Sequence, residues 1–317
     1  MSESRPALVR RSTADGSFSL WSERFQEGFH SGRGAMREAA ETFLGPSELA
    51  RFRPGTTLQL VEVCVGTGSN LAALLQACAQ RGLKLRWWGL EQDPAPLALA
   101  LADGGFRNQW SPQIVDHLEQ LQRSGTWSSG LGSGRMLWGD ARRCLPELLD
   151  EARGQVDLVW HDAFSPRRCP QLWTVEFLQG LAQLLPPGGR WISYSSAAAV
   201  RGALLLAGLE LATLPASNAP SPRQWSGGTV AFPQIPEPSP WLRPLSAMER
   251  DHLASSAGVP YHDPTGQADA ELILANRSQA QAHALANGSR GSSGTWRRRW
   301  DLASPGRAGG QAEVIGS

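Results

Sequence analysis

Four carboxylates stand where apolar runs of this chain end: Glu62, Glu91, Asp140 and Asp162. Glu62 lies inside the run 58–65, which breaks at Gly66-Thr-Gly68. Glu91, Asp140 and Asp162 directly follow the runs 85–90, 135–139 and 156–161. Carboxylates accept hydrogen bonds from ammonium, hydroxyl and amino groups, and one of them can serve as a general base. The glycine pair opens a helix-like stretch, and such a turn lets backbone N–H groups approach a ligand closely. The chemistry suggested is the holding of a cationic, ribose-bearing ligand.

These groups need elements to bring them together. Short apolar runs alternating with helical patterns predict strands at 58–65, 85–90, 135–138, 156–161 and 190–195. Helices are expected at 69–81, with Ser69 or Asn70 as its cap, then through 102, and at 111–123, 141–149, 171–178 and 197–207. The pattern is that of an α/β fold with a mostly parallel sheet and helices on both faces, Rossmann-like. In such sheets ligands sit beyond the carboxyl ends of the strands, where Glu91, Asp140 and Asp162 fall, with Glu62 inside the first strand. From 209 the pattern changes to an antiparallel hairpin, 209–214 with 228–232, giving a seven-stranded sheet. The Ser/Gly-rich stretch 124–134 reads as a flexible loop. The site suits S-adenosylmethionine (SAM), with Glu62 toward its amino-acid end, Glu91 toward the ribose and Asp140 toward the adenine. Asp140 reads equally as the cap of the helix 141–149.

The chain has 317 residues, 41% hydrophobic, with a net charge of +1. It is therefore no overall trap for polyanions, but its charge is uneven. Beyond Asn287 stand Arg290, Arg297, Arg298, Arg299 and Arg307 against Asp301 and Glu313. That segment, 287–317, is poor in apolar residues and is expected to be a disordered basic tail. Residues 1–16 are expected to be a flexible N-terminus and 17–57 a cap segment, with Gly28-Phe-His30-Ser-Gly-Arg33-Gly34 over the pocket. The domain proper is expected at 58–275, with a last amphipathic helix at 268–286. The four cysteines have neither ligand nor disulfide spacing, so no metal site is expected. No run is long enough to span a membrane, and a cytoplasmic location is expected.

Three stretches carry a resemblance to a known family. They are Glu62-Val-Cys-Val-Gly-Thr-Gly-Ser-Asn70, Gly139-Asp140 with its downstream Leu-Pro-Glu-Leu, and Asp157-Leu-Val-Trp-His-Asp-Ala-Phe-Ser-Pro-Arg-Arg-Cys-Pro-Gln-Leu-Trp173. Over roughly residues 15 to 275 the chain resembles the methyltransferase part of the bifunctional tRNA 5-methylaminomethyl-2-thiouridine biosynthesis protein MnmC. No second glycine fingerprint follows, so the family's FAD-dependent oxidase part is not expected. Cys64 stands where the family has a glycine, and Cys169 where it has Asn. The resemblance implies SAM as methyl donor and the aminomethyl group of a tRNA wobble uridine as acceptor. It implies cofactor contacts from Glu62, Gly66, Gly68, Asn70, Glu91, Gln92, Asp140, Ala141 and Asp162. Asp162 is the expected catalytic residue. His30, Arg33, Phe164, Pro166, Arg167 and Trp173 are expected to hold the substrate, and Trp296 among the tail arginines could stack on a base.

Other readings stay open at this level. One is an aminopropyltransferase-like enzyme using the same acids on a small amine. Another is a non-catalytic RNA-binding relic, which Cys64 would favour. A nicotinamide dehydrogenase is disfavoured, since no Gly-x-Gly-x-x-Gly opens the helix.

Overall fold

A computed structural model describes residues 7–215 and 225–302. It contains two compact units, Met1–Phe164 with Gln183–Ser193, and Ser165–Ala182 with Tyr194–Ser317. The expected domain 58–275 is thus divided between them.

The first unit opens with a small antiparallel sheet of β1 (Leu8–Arg11), β2 (Ser19–Ser22) and β3 (Glu27–Gly28). The N-terminal stretch expected to be flexible therefore pairs in register from Leu8, opposite Ser22. A helical segment, Ala35–Glu38 continued by the π-helical Ala39–Leu44, follows and buries Ala39 and Phe43.

The main sheet of this unit comprises β4 (Thr57–Val63), β5 (Lys84–Glu91), β6 (Thr126–Ser129), β7 (Gly132–Trp138), β8 (Leu158–His161) and β9 (Arg190–Ser193). They lie in the order β9-β8-β4-β5-β7-β6. All neighbours are parallel except β6, which runs antiparallel to β7. Leu58, Leu60, Val61 and Val63 of the central strand β4 are buried, as expected of a strand covered on both faces. The helix Ser69–Arg81 buries Leu71, Leu74, Leu75 and Cys78 and stops at Gly82, whose φ of +64° continues the chain out of the helix.

The strand β6 corrects the expectation of a loop at 124–134. The glycines that open its partner β7 are there for close packing, not freedom. A Cβ on Gly132 would lie 1.9 Å from the Leu85 carbonyl oxygen, and one on Gly134 would lie 2.1 Å from the Trp127 ring. This unit's part of the sheet thereby has six strands where five were expected.

The second unit holds the expected hairpin, β10 (Glu210–Thr213) antiparallel to β11 (Thr229–Phe232), and the helices Val175–Ala182, Ala198–Leu206, Ala247–Ala254 and Ala270–Ala286. Its buried centre is polar: Arg201 is paired with Glu249 at 3.3 Å, and Arg243 with the same carboxylate at 2.8 Å. The helix Ala270–Ala286 is less amphipathic than expected, since only Ile273 of it is buried. Arg277 instead donates to the carbonyls of Val259 and Ala257. Beyond Asn287 the expected disorder is also corrected. Ser293–Arg299 is a helix, with Trp296 buried at 4% exposure. The remainder of the expected tail, 303–317, and most of the connection 215–227 lie outside the described residues.

Candidate functional site

Register brings the strand ends together. Val63 pairs with Leu90 on one side and His161 on the other, and Leu90 pairs with Leu137. The acids that follow these residues therefore share one rim of the first unit. The turn between β4 and its helix is tied into that rim by backbone bonds. Cys64 N–H donates to the Leu90 carbonyl at 2.9 Å, and Asp162 N–H to the Val63 carbonyl at 3.0 Å.

Three residues of the turn have left-handed backbone: Cys64 at φ +66°, Gly66 at +55° and Gly68 at +79°. Glycine adopts this at no cost, whereas a side chain at Cys64 stores strain. Gly68 forms the N-cap of the helix Ser69–Arg81, and no side chain caps it. The expected caps are otherwise engaged: Ser69 shares a hydrogen bond with Thr67 at 2.8 Å, and Asn70 Nδ2 donates to Asp162 at 2.9 Å. The first N–H groups of this helix are thus left to a ligand or solvent.

Glu62 is fully buried. One carboxylate oxygen accepts from Trp87 Nε1 at 3.0 Å. The other, Oε1, has no hydrogen-bond partner among the described residues. Burial, reinforced by the charges of Asp162 and Glu91, pushes its pKa up to about 8. An orphaned buried acid beside two others fits a cationic guest. Glu91 accepts from three backbone N–H groups, those of Gly66 (3.0 Å), Gln92 (2.7 Å) and Asp93 (2.9 Å). These bonds fasten two loops to one carboxylate: Oε1 accepts from Gln92 and Asp93, while Oε2 accepts from Gly66 alone and keeps a lone pair for a hydroxyl donor. Burial raises the Glu91 pKa despite them.

Asp140 does what the bland alternative required. It caps the helix Ala141–Ala152 through Arg142 N–H, and it also pairs with the Arg142 guanidinium at 2.7 Å. Against the burial that raises it, these bonds bring its pKa below the ordinary value. Oδ1 is thereby filled, while Oδ2 accepts from the guanidinium and keeps one lone pair for an adenine amine. Gln92 is exposed and Ala141 buried at this same rim.

Asp162 lies beside an aromatic group. Phe164, two residues on, stacks on Phe25 at 4.4 Å and meets Phe29 edge-on at 5.1 Å. Phe29 in turn lies against the glycine turn, where a Cβ on Gly66 would come within 3.1 Å of its ring. The cap segment thus covers the turn, through residues the sequence had not singled out. Burial, with Glu38 and Glu27 as further negative charges, pushes the Asp162 pKa up to about 7.

Other expected residues are placed differently. His30 bonds to Ser19 Oγ at 3.1 Å, and burial drops its pKa to about 4, so it is neutral. Arg33 is exposed and paired with Glu41 at 3.1 Å. Neither makes a contact with the acids of the rim among the described residues. Pro166, Arg167 and Trp173 belong to the second unit. Trp173 is fully buried there, edge-on to Tyr194 at 6.2 Å, and Arg167 acts electrostatically on Tyr261 and Arg277. Trp296 is buried as well, so it offers no face to a base.

Known proteins resemble this chain in sequence and in fold. Residues 106–219 match the family described as S-adenosyl-L-methionine-dependent methyltransferase. An uncharacterized protein of Methanocaldococcus jannaschii is 27% identical over 273 residues, covering 84% of this chain and 70% of that protein. The bifunctional MnmC of Pseudomonas fluorescens, a tRNA 5-methylaminomethyl-2-thiouridine biosynthesis protein, is 31% identical over 74% of this chain. The chain spans only 38% of that relative's length. The crystal structure of MnmC2 from Aquifex aeolicus superposes with a TM-score of 0.71 at 28% identity, covering 89% of this chain and 86% of that one. The resemblance to the methyltransferase part of MnmC therefore extends from sequence to fold. Among the described residues no helix is long and apolar enough to cross a membrane.

Proposed function

We propose that this chain, a Rossmann-like protein resembling the methyltransferase part of MnmC, transfers the methyl group of SAM to an aminomethyl group on a tRNA wobble uridine, in the cytoplasm. The observation that carries the reading is Asp162, a carboxylate held near neutrality beside the Phe25–Phe164–Phe29 group. An alkylamine is protonated near neutral pH and lacks the lone pair it needs to attack. Glu27, Glu38 and Asp162 attract it as a cation, and the rings desolvate it. Its proton then passes to Asp162, whose raised pKa makes it a better base than an ordinary aspartate. Asn70 fixes the carboxylate, so that the freed nitrogen is aligned.

SAM, when bound, supplies a methyl on a sulfonium, open to in-line displacement. Glu62 Oε1, orphaned in the protein alone, would accept from its ammonium group. Glu91 would accept from the ribose hydroxyls, and Asp140, with Ala141 and Gln92 alongside, would receive the adenine.

The test is transfer of labelled methyl from SAM into total tRNA, with polyamine precursors as controls. Labelled tRNA, with an Asp162→Asn variant slowed about 10²- to 10⁴-fold at retained SAM affinity, is the expected outcome. SAM binding without any labelling of tRNA overturns the proposal. Labelling of the polyamine precursors alone would favour the small-amine alternative.

A further inference from the structure

The tail helix Ser293–Arg299 lies beyond the stretch that carries the family resemblance, and it is held in place with care. Ser292 caps it, accepting from Thr295 N–H at 3.0 Å. Trp296 is its anchor: the indole donates to the Met248 carbonyl at 3.0 Å and stacks 4.0 Å from the His252 ring, with Trp225 behind at 5.9 Å. Trp300 donates to Asp251 at 2.9 Å. All of these partners belong to the second unit, and the helix is thereby fixed against the helix Ala247–Ala254.

What this anchoring displays is positive charge. Arg250, Arg298 and Arg299 are exposed and Arg297 half-buried. Only Arg299 finds an acid, Asp251, at 2.7 Å. Arg298 bonds to the Thr295 hydroxyl and Arg250 to the Leu245 carbonyl. Among the described residues neither they nor Arg297 forms an ion pair. Among the described residues Asp251 is the one acid that pairs with any of these four guanidinium groups. Burying a tryptophan to hold three consecutive arginines on one short helix has no evident use for the core. It removes the ordering entropy that a floppy tail would lose on contact with a polyanion. Guanidinium forks suit phosphate geometry, and the Trp296 indole is turned inward, away from any base.

We propose that the surface formed by the helices Ala247–Ala254 and Ser293–Arg299 grips the phosphodiester backbone of the RNA substrate. The inference rests on the tRNA reading above and adds to it a positioning surface outside the catalytic rim. It predicts affinity without sequence readout, since phosphate contacts orient RNA but do not identify bases.

The test is a salt titration of total tRNA binding to the full chain, wild type against Arg297→Gln/Arg298→Gln. Arg298 is exposed, and the Arg297 charge bears on the buried His252 only in the direction burial already sets, toward a neutral ring. The expected result is roughly tenfold weaker binding near physiological salt. The slope of log affinity against log salt should fall by about 2, with SAM affinity unchanged. Trp296→Ala, which frees the helix while keeping its charge, should weaken binding by a smaller factor and leave the slope nearly intact. If wild-type protein methylates tRNA but the double variant keeps affinity and slope, the surface is refuted and the substrate reading stands. If wild-type protein neither binds nor labels tRNA, the substrate reading itself has failed, and this surface with it.

Discussion

Glu62 and Glu249 are the same residue type, buried to the same degree, and they have opposite surroundings. Glu249 is 1% exposed and Glu62 fully buried. Glu249 accepts from Arg201, Arg243, and the backbone N–H groups of Ser226 and Ser246. Despite burial, which alone would raise it, those partners hold its pKa down to about 2. Glu62 has the neutral Trp87 indole and Asn70 amide near it, no cation among the causes of its shift, and two neighbouring acids; burial above all pushes its pKa up to about 8. A carboxylate buried for stability is supplied with cations by the protein. One buried among acids is waiting for a cation from elsewhere.

The largest effect that would break this contrast lies in stability. Glu249→Gln leaves the Arg201 guanidinium buried with no charge opposite it. It should cost about 3–5 kcal/mol in chemical denaturation. Glu62→Gln should raise stability at neutral pH, since the native acid must take up a proton on folding that the unfolded chain does not hold, and an amide does not. Equal losses for the two variants would end the distinction. In SAM binding the order reverses. Glu62→Gln removes a charged acceptor for the donor's ammonium and should weaken binding about 10- to 100-fold by calorimetry, while Glu249→Gln, so far as it folds, should bind normally.

The two acids also predict opposite pH slopes. Glu62 binds its proton more tightly in the native state than in the unfolded chain. Its contribution is therefore whole below the ordinary value near 4.5 and is lost as pH rises through about 8. Glu249 does the reverse: its contribution is whole above about 4.5 and is lost as pH falls through about 2. Stability curves of the two glutamine variants should flatten on opposite sides. Because a cationic donor selects ionised Glu62, SAM affinity should rise with pH up to about 8, with a proton released on binding. Calorimetry in buffers of differing ionisation enthalpy measures that release, and no release at pH 7 would contradict the protonated state assigned to Glu62.

How much of this could be read from residues alone depends on the range of the forces involved. The rim was legible because each acid follows an apolar run, and parallel strands carry such residues to one edge. The aromatic group was not. Phe25 and Phe29 lie on either side of a two-residue strand and meet Phe164 across more than 130 residues of chain. No periodicity announces that meeting. Gly132 and Gly134 were misread because a glycine forced by a neighbouring carbonyl or indole looks like one chosen for flexibility. The segment after Asn287 was misread because its composition is polar, while one tryptophan and one serine cap suffice to order a helix. His30 and Arg33 stood in a glycine-rich loop typical of ligand contacts, but their partners there are Ser19 and Glu41.

The smallest effect bears on the turn that carries Glu62's neighbours. Cys64 holds φ +66°, where a residue with a Cβ costs about 1–2 kcal/mol relative to glycine. Cys64→Gly should therefore stabilise the protein by about 1 kcal/mol, after the unfolded chain's gain in freedom is subtracted. That is a rise of roughly 2 °C in Tm for a protein of this size. Cys64→Ala removes the thiol but keeps the Cβ, so it should not share the gain. If alanine stabilises as much as glycine, the thiol and not the backbone is the source of cost. If neither does, contacts of the Cys64 side chain offset the strain, and the loop beside the buried acid is as well satisfied as the core around Glu249.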